Sequence, residues 1–437
     1  MRNRCSVALG FVALILVGAI LLCSPWARVA HTWGDPMTAL FTSCSAVCVT
    51  GLCSVDIALE YSRVGQIVLL VLAEVGCLGL MTFGTFLMIA VGRRLSLSRE
   101  FSLMNAYGVA EVQGLRGLIC WVVGSMLVIE TAGAVALYFR LHDVYQSIYY
   151  SIMSFCNAGF GLRTDSIACF ASDPFVILTL AVEAILGGIG FLVIYNLCTF
   201  KFLRRTSGGR GRLTLHTKVV LRMSLYLLLI AFGVFLALEW NGSLKGFALG
   251  EKLWVGFYQA VTPRTCGFCV VPTEDLSPLT RLIYANLMFI GGAPGSAAAG
   301  IKVTTLAVLI YTLLAMCRGE SETVVYRRVV PTDIVREALV IFMALIALTV
   351  CVIGALLVTE GDSGIASDAL FFEAVSAITT TGLSMGDTTA RLSTAGKCVI
   401  MVAMLIGRLG ALTVVMMIGD RESHSRVRYP SEELVIG

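Results

Sequence analysis

Four short stretches of this chain could coordinate a desolvated cation with backbone oxygens alone. They are Cys48-Val49-Thr50-Gly51, Cys156-Asn157-Ala158-Gly159, Arg264-Thr265-Cys266-Gly267 and Thr379-Thr380-Thr381-Gly382. Each glycine is followed by Leu or Phe, and ten positions before each stands an aromatic: Phe41, Tyr149, Phe257 and Phe372. Only 9% of residues are aromatic, so this agreement is not set by composition. The glycines lie 108, 108 and 115 residues apart, which marks four copies of one unit. Glycine suits a carbonyl-lined turn because it adopts backbone angles that a β-carbon forbids and keeps the wall thin. Rings of carbonyls that replace a hydration shell are the physical route to potassium selectivity.

Such turns need elements to hold them. The chain of 437 residues is 57% hydrophobic and 14% charged, whereas soluble domains carry about 25% charge. It reads as a membrane protein. Each copy consists of an apolar segment, a short segment ending at the glycine, and a second apolar segment. The expected segments are 6–24, 37–51 and 64–91; 114–139, 145–159 and 174–200; 219–239, 253–267 and 278–316; and 333–358, 368–382 and 394–418. A span needs about 20 residues, so the short segments must enter the membrane and return. Non-helical backbone survives at that depth only when it is buried in protein or lines an aqueous path. Four re-entrant elements meet this condition by converging on one axis, with the negative ends of their helix dipoles turned towards a cation there.

Twenty Lys and Arg fall on one side of these segments and ten on the other. The richer side is expected to be cytoplasmic, which puts both termini inside and opens the four glycine elements outwards. The start of the chain, Met1-Arg-Asn-Arg4 followed by an apolar run, could pass for a signal peptide. The repeat favours a retained transmembrane helix, because every later copy has one in that place.

Several chemistries are disfavoured. No basic stripe interleaved with aromatics suggests nucleic acid. Of fifteen cysteines, Cys266 and Cys269 have CxxC spacing. No second CxxC or paired histidine completes a zinc site, and His31, His142, His216 and His424 are scattered. Most cysteines are expected to act as small apolar residues. Gly208-Gly-Arg-Gly211 lacks the flanking strand and helix of a phosphate-binding loop. It and the tail are candidate docking surfaces.

The four glycine strings in register resemble the Trk/Ktr/HKT family of potassium transporters, and the resemblance covers essentially the whole chain. One helix precedes the first filter and the tail ends Arg428-Tyr-Pro-Ser-Glu-Glu-Leu-Val-Ile-Gly437, which is most similar to the Ktr membrane subunit. The resemblance implies an all-α polytopic membrane protein. Four tandem helix–pore-helix–helix repeats (1–100, 101–212, 213–325 and 326–437) would surround one central pore, with eight transmembrane helices and four re-entrant pore helices. It implies potassium uptake across a bacterial plasma (inner) membrane without covalent catalysis. Potassium would sit at the four strings named above. All four keep glycine, whereas sodium-selective relatives carry serine at the first. Cys48, Cys156 and Pro263 depart from the usual residues, which leaves selectivity intact if backbone carbonyls coordinate the ion.

A second glycine motif follows each filter: Gly76-Cys-Leu-Gly79, Gly187-Gly-Ile-Gly190, Gly291-Gly-Ala-Pro294 and Gly407-Arg-Leu-Gly410. The general reading is small residues for close helix packing. The third copy differs, because Gly291, Gly292, Pro294, Gly295, Ser296 and Gly300 make a stretch that breaks a helix, ending at Lys302. In the family this stretch is an intramembrane gate, and an arginine at the place of Arg408 holds it and repels cations. A buried arginine that only ties helices through carbonyls is the competing reading. Arg264 is expected to brace the third filter from behind. Glu74, Glu130 and Glu183 lie in apolar runs, and are expected to satisfy helix termini or arginines in preference to handling ions.

The family also implies a homodimer and a cytoplasmic ring of nucleotide-binding regulatory subunits sensing ATP, ADP or NAD, and it leaves sodium open as an activator. Membrane lipid is the remaining partner. Two rivals stay open: an ion-coupled transporter of an organic solute, whose repeats are more often inverted, and a polytopic membrane enzyme or receptor, for which no cluster of His, Asp or Cys at one depth is visible.

Overall fold

The computed structural model describes residues 2–79, 115–206 and 213–410. In the first repeat α1 is Arg2–Cys23, α2 Pro36–Val47, α3 Ile57–Glu60 and α4 Arg63–Leu78. The second has α5 Leu115–Leu141, α6 Val144–Cys156, α7 Pro174–Ile189 and α8 Phe191–Thr206. The third has α9 Leu215–Glu239, α10 Leu249–Val261, α11 Pro278–Phe289 and α12 Val303–Cys317. The fourth has α13 Thr332–Thr359, α14 Ser367–Ile378, α15 Thr388–Arg391 and α16 Thr394–Leu409. A two-residue hairpin, β1 Val324–Val325 with β2 Arg328–Val329, joins the third repeat to the fourth.

The pore helices α2, α6, α10 and α14 have 12, 13, 13 and 12 residues. At 1.5 Å per residue they reach about 20 Å, short of the ~30 Å hydrocarbon core. Carboxylates mark their N-terminal ends. Asp35 accepts from the Thr38 amide at 2.8 Å. Asp143 accepts from the Tyr145 and Gln146 amides at 2.9 and 3.1 Å. Glu251 reaches back to the Ala248 amide at 2.9 Å. These caps favour starting the first three pore helices at one rim, called the mouth below, with Asp368 in the first turn of the fourth, and leave the negative ends pointing to the centre. The recurring aromatics anchor the same helices: Phe41, Tyr149 and Phe372 are buried, and Phe257 packs edge-on against Phe232.

The helices α5, α9 and α13 are long and apolar enough to cross a membrane. Against them the pore helices lie in hairpin fashion. α1 packs on the first pore helix, where Ser43 Oγ donates to the Ile15 carbonyl at 2.7 Å. In each repeat the end of the first long helix is tied to the start of the next one after the filter. The Ser62 hydroxyl donates to the Trp26 carbonyl at 2.7 Å, and Arg140 pairs with Asp173 at 3.3 Å. The Ser277 amide donates to Glu239 at 2.9 Å, and the Ser393 amide to Glu360 at 3.1 Å.

The expected continuous segments after each filter need correction. α4 stops at Gly79, α7 at Gly190 and α16 at Gly410, with φ of 75°, 93° and 85°. α11 stops before Gly291. Only glycine takes these angles readily, so the second glycine of each motif ends a helix in copies one, two and four; only Gly190 among them also meets a close neighbour, the Pro294 carbonyl. After Gly190 the chain bends by 94° into α8. In the third copy residues 290–302 form a non-helical loop. The expected continuations 80–91 and 411–418, the Gly208–Gly211 loop and the tail lie outside the described residues.

Candidate cation filter and the loop beside it

Each pore helix runs into its filter string through a backbone of alternating hand. Val49, Asn157, Thr265 and Thr380 have φ of 56°, 57°, 72° and 49°, and Gly51, Gly159, Gly267 and Gly382 have 93°, 69°, 81° and 85°. The intervening Thr50, Ala158, Cys266 and Thr381 are not left-handed. In a strand of one hand successive carbonyls point to opposite sides, and alternating the hand allows them to share a side. Left-handed geometry costs a non-glycine residue about 1–2 kcal/mol, and the β-branched Val49 is a marked outlier. Strain of this kind persists only where the surroundings over-determine it.

The four strings close into a ring. A methyl group on Gly159 would come within 2.8 Å of the Gly267 Cα, and one on Gly267 within 3.0 Å of the Thr381 oxygen. One on Gly51 would strike the Ala158 oxygen, and one on Gly382 the Thr50 oxygen. The nearest Cys266 oxygen lies 3.3 Å from such a group on Gly159. Each glycine thus faces the carbonyl of the residue before the next glycine, in the order first, second, third, fourth, first. Glycine is needed at all four positions because backbone of the neighbouring repeat occupies the space of a side chain.

The side chains of the strings turn away and support the backbone. The Gly51 amide donates to Ser45 Oγ at 3.1 Å, and Thr262 Oγ1 donates to the Phe268 carbonyl at 2.9 Å. Asn157 Nδ2 donates to the Ala184 carbonyl at 3.3 Å, and the Thr379 and Thr381 hydroxyls bond at 2.9 Å. The amides of Thr50, Ala158 and Thr381 bond carbonyls five residues back, whereas that of Cys266 bonds Thr262, four back. Pro263 accounts for the difference: it cannot donate, and α10 ends at Val261. Cys48 and Cys156 are fully buried. Arg264 extends away from the ring, donating to the Ser224 carbonyl and hydroxyl at 3.4 Å each, so it braces α9 against the third filter.

On the mouth side the four glycines floor a cavity of about 460 Å³. Asp56, Asp165, Glu274 and Asp387 stand in its wall, one from each repeat, with Arg163 pairing to Asp165 at 3.3 Å. Sequence reasoning overlooked these carboxylates. The signal was available, since each follows its glycine by five to seven residues. Glu239 and Glu360, which tie helix ends, were also overlooked.

On the opposite side the first glycine of three GxxG-type motifs presses on the end of its own pore helix. Side chains at Gly76, Gly187 and Gly407 would collide with the carbonyls of Val47, Phe155 and Ile378. Here the close-packing expectation agrees with the geometry. Beside these contacts lies loop 290–302. Its backbone bonds the break in the second repeat: the Ala293 amide to the Gly188 carbonyl at 2.9 Å, Ala297 to Gly187 at 3.2 Å, and Phe191 to Gly295 at 3.0 Å. Ile290 and Ile301 form a parallel bridge that closes the loop. Gly295 and Gly300 have φ of 69° and 71°, Ser296 Oγ donates to the Ala293 carbonyl at 2.6 Å, and the Pro294 carbonyl packs against Gly190. A methyl on Gly291 or Gly292 would strike the carbonyls of Ala299 or Gly188.

Two cations hold this loop. Lys302 Nζ donates to the Ala298 carbonyl at 2.5 Å. Arg408 donates from Nη1 to the Ala297 carbonyl, and from Nη2 to the Gly76 and Cys77 carbonyls at 2.5 and 3.2 Å. Gly76 and Cys77 lie in the last turn of α4, where carbonyls run short of helical donors, although Gly76 also accepts from the Gly79 amide at 3.2 Å. One guanidinium therefore joins the first, third and fourth repeats.

The buried glutamates do not pair with arginines among the described residues. Ser151 Oγ on the second pore helix bonds both the Glu130 carbonyl, at 2.7 Å, and Glu183. Glu74 and Glu130 approach Cys156. Cys266 contacts the Tyr258 hydroxyl at 3.3 Å, and the Cys269 amide donates to Ser166 at 3.4 Å, so the CxxC spacing serves packing and turns.

A fourfold collar of carbonyls carried by re-entrant helices in an apolar protein defines the class of membrane cation-transport proteins. The chain belongs to the TrkH family of cation transport proteins, whose family model matches residues 12–426. It is 35% identical to Ktr system potassium uptake protein B of Bacillus subtilis, over 99% of this chain and 96% of that protein. It is 33% identical to the potassium/sodium uptake protein NtpJ of Enterococcus hirae over the same shares. The crystal structure of the potassium transporter TrkH from Vibrio parahaemolyticus superposes with a TM-score of 0.76, covering 96% of this chain and 85% of that one at 17% identity. That likeness shows the fold.

Proposed function

We propose that this protein mediates potassium uptake across the bacterial plasma membrane, with the strings ending at Gly51, Gly159, Gly267 and Gly382 as its filter. The observation that carries the reading is the ring in which each glycine faces a carbonyl of the next repeat. Carbonyl oxygens replace water around a monovalent cation without fixing it by charge, so the ion can also leave. The inward negative ends of four pore helices add to the attraction. The names of the Bacillus and Enterococcus relatives point to the same ion. The second of them also names sodium, which keeps sodium in play as a second ion or an activator.

Loop 290–302 is the gate in this reading, and Arg408 with Lys302 is its latch. Both termini face the cytoplasm and the mouth faces outwards, as the excess of Lys and Arg on one side suggests. The four units divide near residues 100, 212 and 325. The protein works as a homodimer with a cytoplasmic ring of nucleotide-binding subunits, which sense ATP, ADP or NAD and release the gate.

The test is potassium rescue. The chain, with and without a ring subunit, is expressed in bacteria lacking potassium uptake, beside Gly51→Ser. Growth at low potassium that the substitution abolishes or converts to sodium permeability supports the filter and its ion. Absence of rescue by protein verified in the membrane with its partner overturns the reading.

A further inference from the structure

We propose that Glu74, Cys77, Glu130 and Cys156 form a binding site for a thiophilic divalent cation of the zinc or cadmium class, set between the second pore helix and the turn of α4 that holds Arg408. A carboxylate oxygen from each of Glu74 and Glu130 and the Cys156 sulfur lie within 4.8 Å of one another. Cys77 follows Glu74 by one turn on α4 and supplies the second thiol. Ligands bonded to one zinc at about 2.0–2.3 Å lie no more than about 4.6 Å apart. These three donors therefore need only a slight contraction to close on an ion, and the Cys77 thiol swings in as the fourth.

The donor set selects the guest. Two sulfurs and two carboxylates supply the four ligands of a tetrahedral site. Thiolates favour soft or borderline ions over sodium, potassium, magnesium and calcium. Glu130 is 4% exposed, and its Oε1 has no hydrogen-bond partner among the described residues. None of the ion pairs among them involves either glutamate. Two carboxyls inside an apolar bundle are neutralised either by protons or by a compensating charge, and a divalent cation provides the latter. Entry releases the thiol protons and any carboxyl proton. Glu130 also lines a groove of about 420 Å³ on the surface of α5 and α6.

The position gives such an ion leverage. Glu74 and Cys77 are one turn apart on α4, and the Cys77 carbonyl accepts from Arg408. Cys156 is the last residue of α6, directly before the second filter's left-handed Asn157. A bound ion ties that filter to the latch turn and lowers flux; this second clause rests on the transport reading above, whereas binding itself does not.

The experiment uses the purified full-length chain loaded with cadmium and washed with a competing chelator. Retained metal and the thiolate-to-cadmium absorption are compared between wild type, Cys77→Ala and Glu130→Gln. The expected result is about one ion per chain in the wild type, with at least roughly tenfold weaker retention in both variants. Equal retention in all three assigns the metal to exposed thiols such as Cys351 and Cys398, and overturns the site. Failure of the wild type to retain any ion, the carboxyls being neutralised by protons alone, overturns it too. In proteoliposomes cadmium should inhibit wild-type potassium flux and spare Cys77→Ala. Binding without inhibition refutes the link to the latch, and absence of any flux refutes the transport reading while the binding result still stands.

Discussion

The Arg408 guanidinium donates to the carbonyl of Gly76 at 2.5 Å, joining α16 of the fourth repeat to the end of α4 in the first. Its other nitrogen holds Ala297 in the loop of the third. Removing the side chain frees the loop and takes the Arg408 donor from the Cys77 carbonyl. A charge-assisted hydrogen bond contributes roughly 1.5–3 kcal/mol, so Arg408→Ala should raise the open fraction about tenfold or more until it saturates. Potassium flux in proteoliposomes is the measurement, and shortening residues 293–299 should act in the same direction. Arg408→Lys should fall between, because a single ammonium cannot span both sets of carbonyls. Unchanged flux in Arg408→Ala at equal membrane levels would rule out the latch.

The filter glycines make a different kind of prediction. A methyl on Gly267 would lie 2.9 Å from the Gly159 Cα and 3.0 Å from the Thr381 oxygen, so the fourfold collar must distort. Gly267→Ala should lose potassium flux or its discrimination against sodium while eluting as a folded protein in size-exclusion chromatography. Normal selectivity in that variant would contradict the ring.

The mouth carboxylates should act on ion supply. Neutralising Asp56, Glu274 and Asp387 together weakens the local field that concentrates cations. The KM for potassium should rise about two- to fivefold at low ionic strength, with little change at high salt, because mobile ions screen exposed charges. A salt-independent effect would point to altered structure instead of steering.

The Asp35 cap carries a pH dependence. The Thr38 hydroxyl and amide hold its carboxyl below the ordinary carboxylate range. A depressed folded value means that the cap's stabilisation is complete above about pH 4 and is lost as pH falls through the lower value. Asp35→Ala should cost about 0.5–2 kcal/mol at neutral pH. That difference should shrink on acidification in thermal-unfolding measurements. Asp35→Ser, which retains an acceptor, should recover most of it.

Much of the site was legible because it repeats. Periodic glycines, their flanking aromatics and the short length of the pore helices follow from local backbone needs, and these were written four times over. The break at Gly291 was visible because proline and glycine cluster there. The breaks at Gly79, Gly190 and Gly410 were not, since a lone glycine in an apolar run does not reveal whether its φ is positive. Arg408 stood out as a charge in an apolar segment, but its partners did not. They are carbonyls, which every residue possesses.

Thus the sequence by itself determined the class of protein, the four units, the re-entrant elements and the candidate filter residues, because hydropathy, period and glycine chemistry act over short stretches of chain. Only the tertiary structure decided the order of the ring, the pairing of each glycine with a neighbour's carbonyl, and the meeting of Arg408 with Gly76 and Ala297. It also brought Glu74, Glu130 and Cys156 together from three helices. These are contacts between residues far apart along the chain, and close packing of the repeats around one axis sets them.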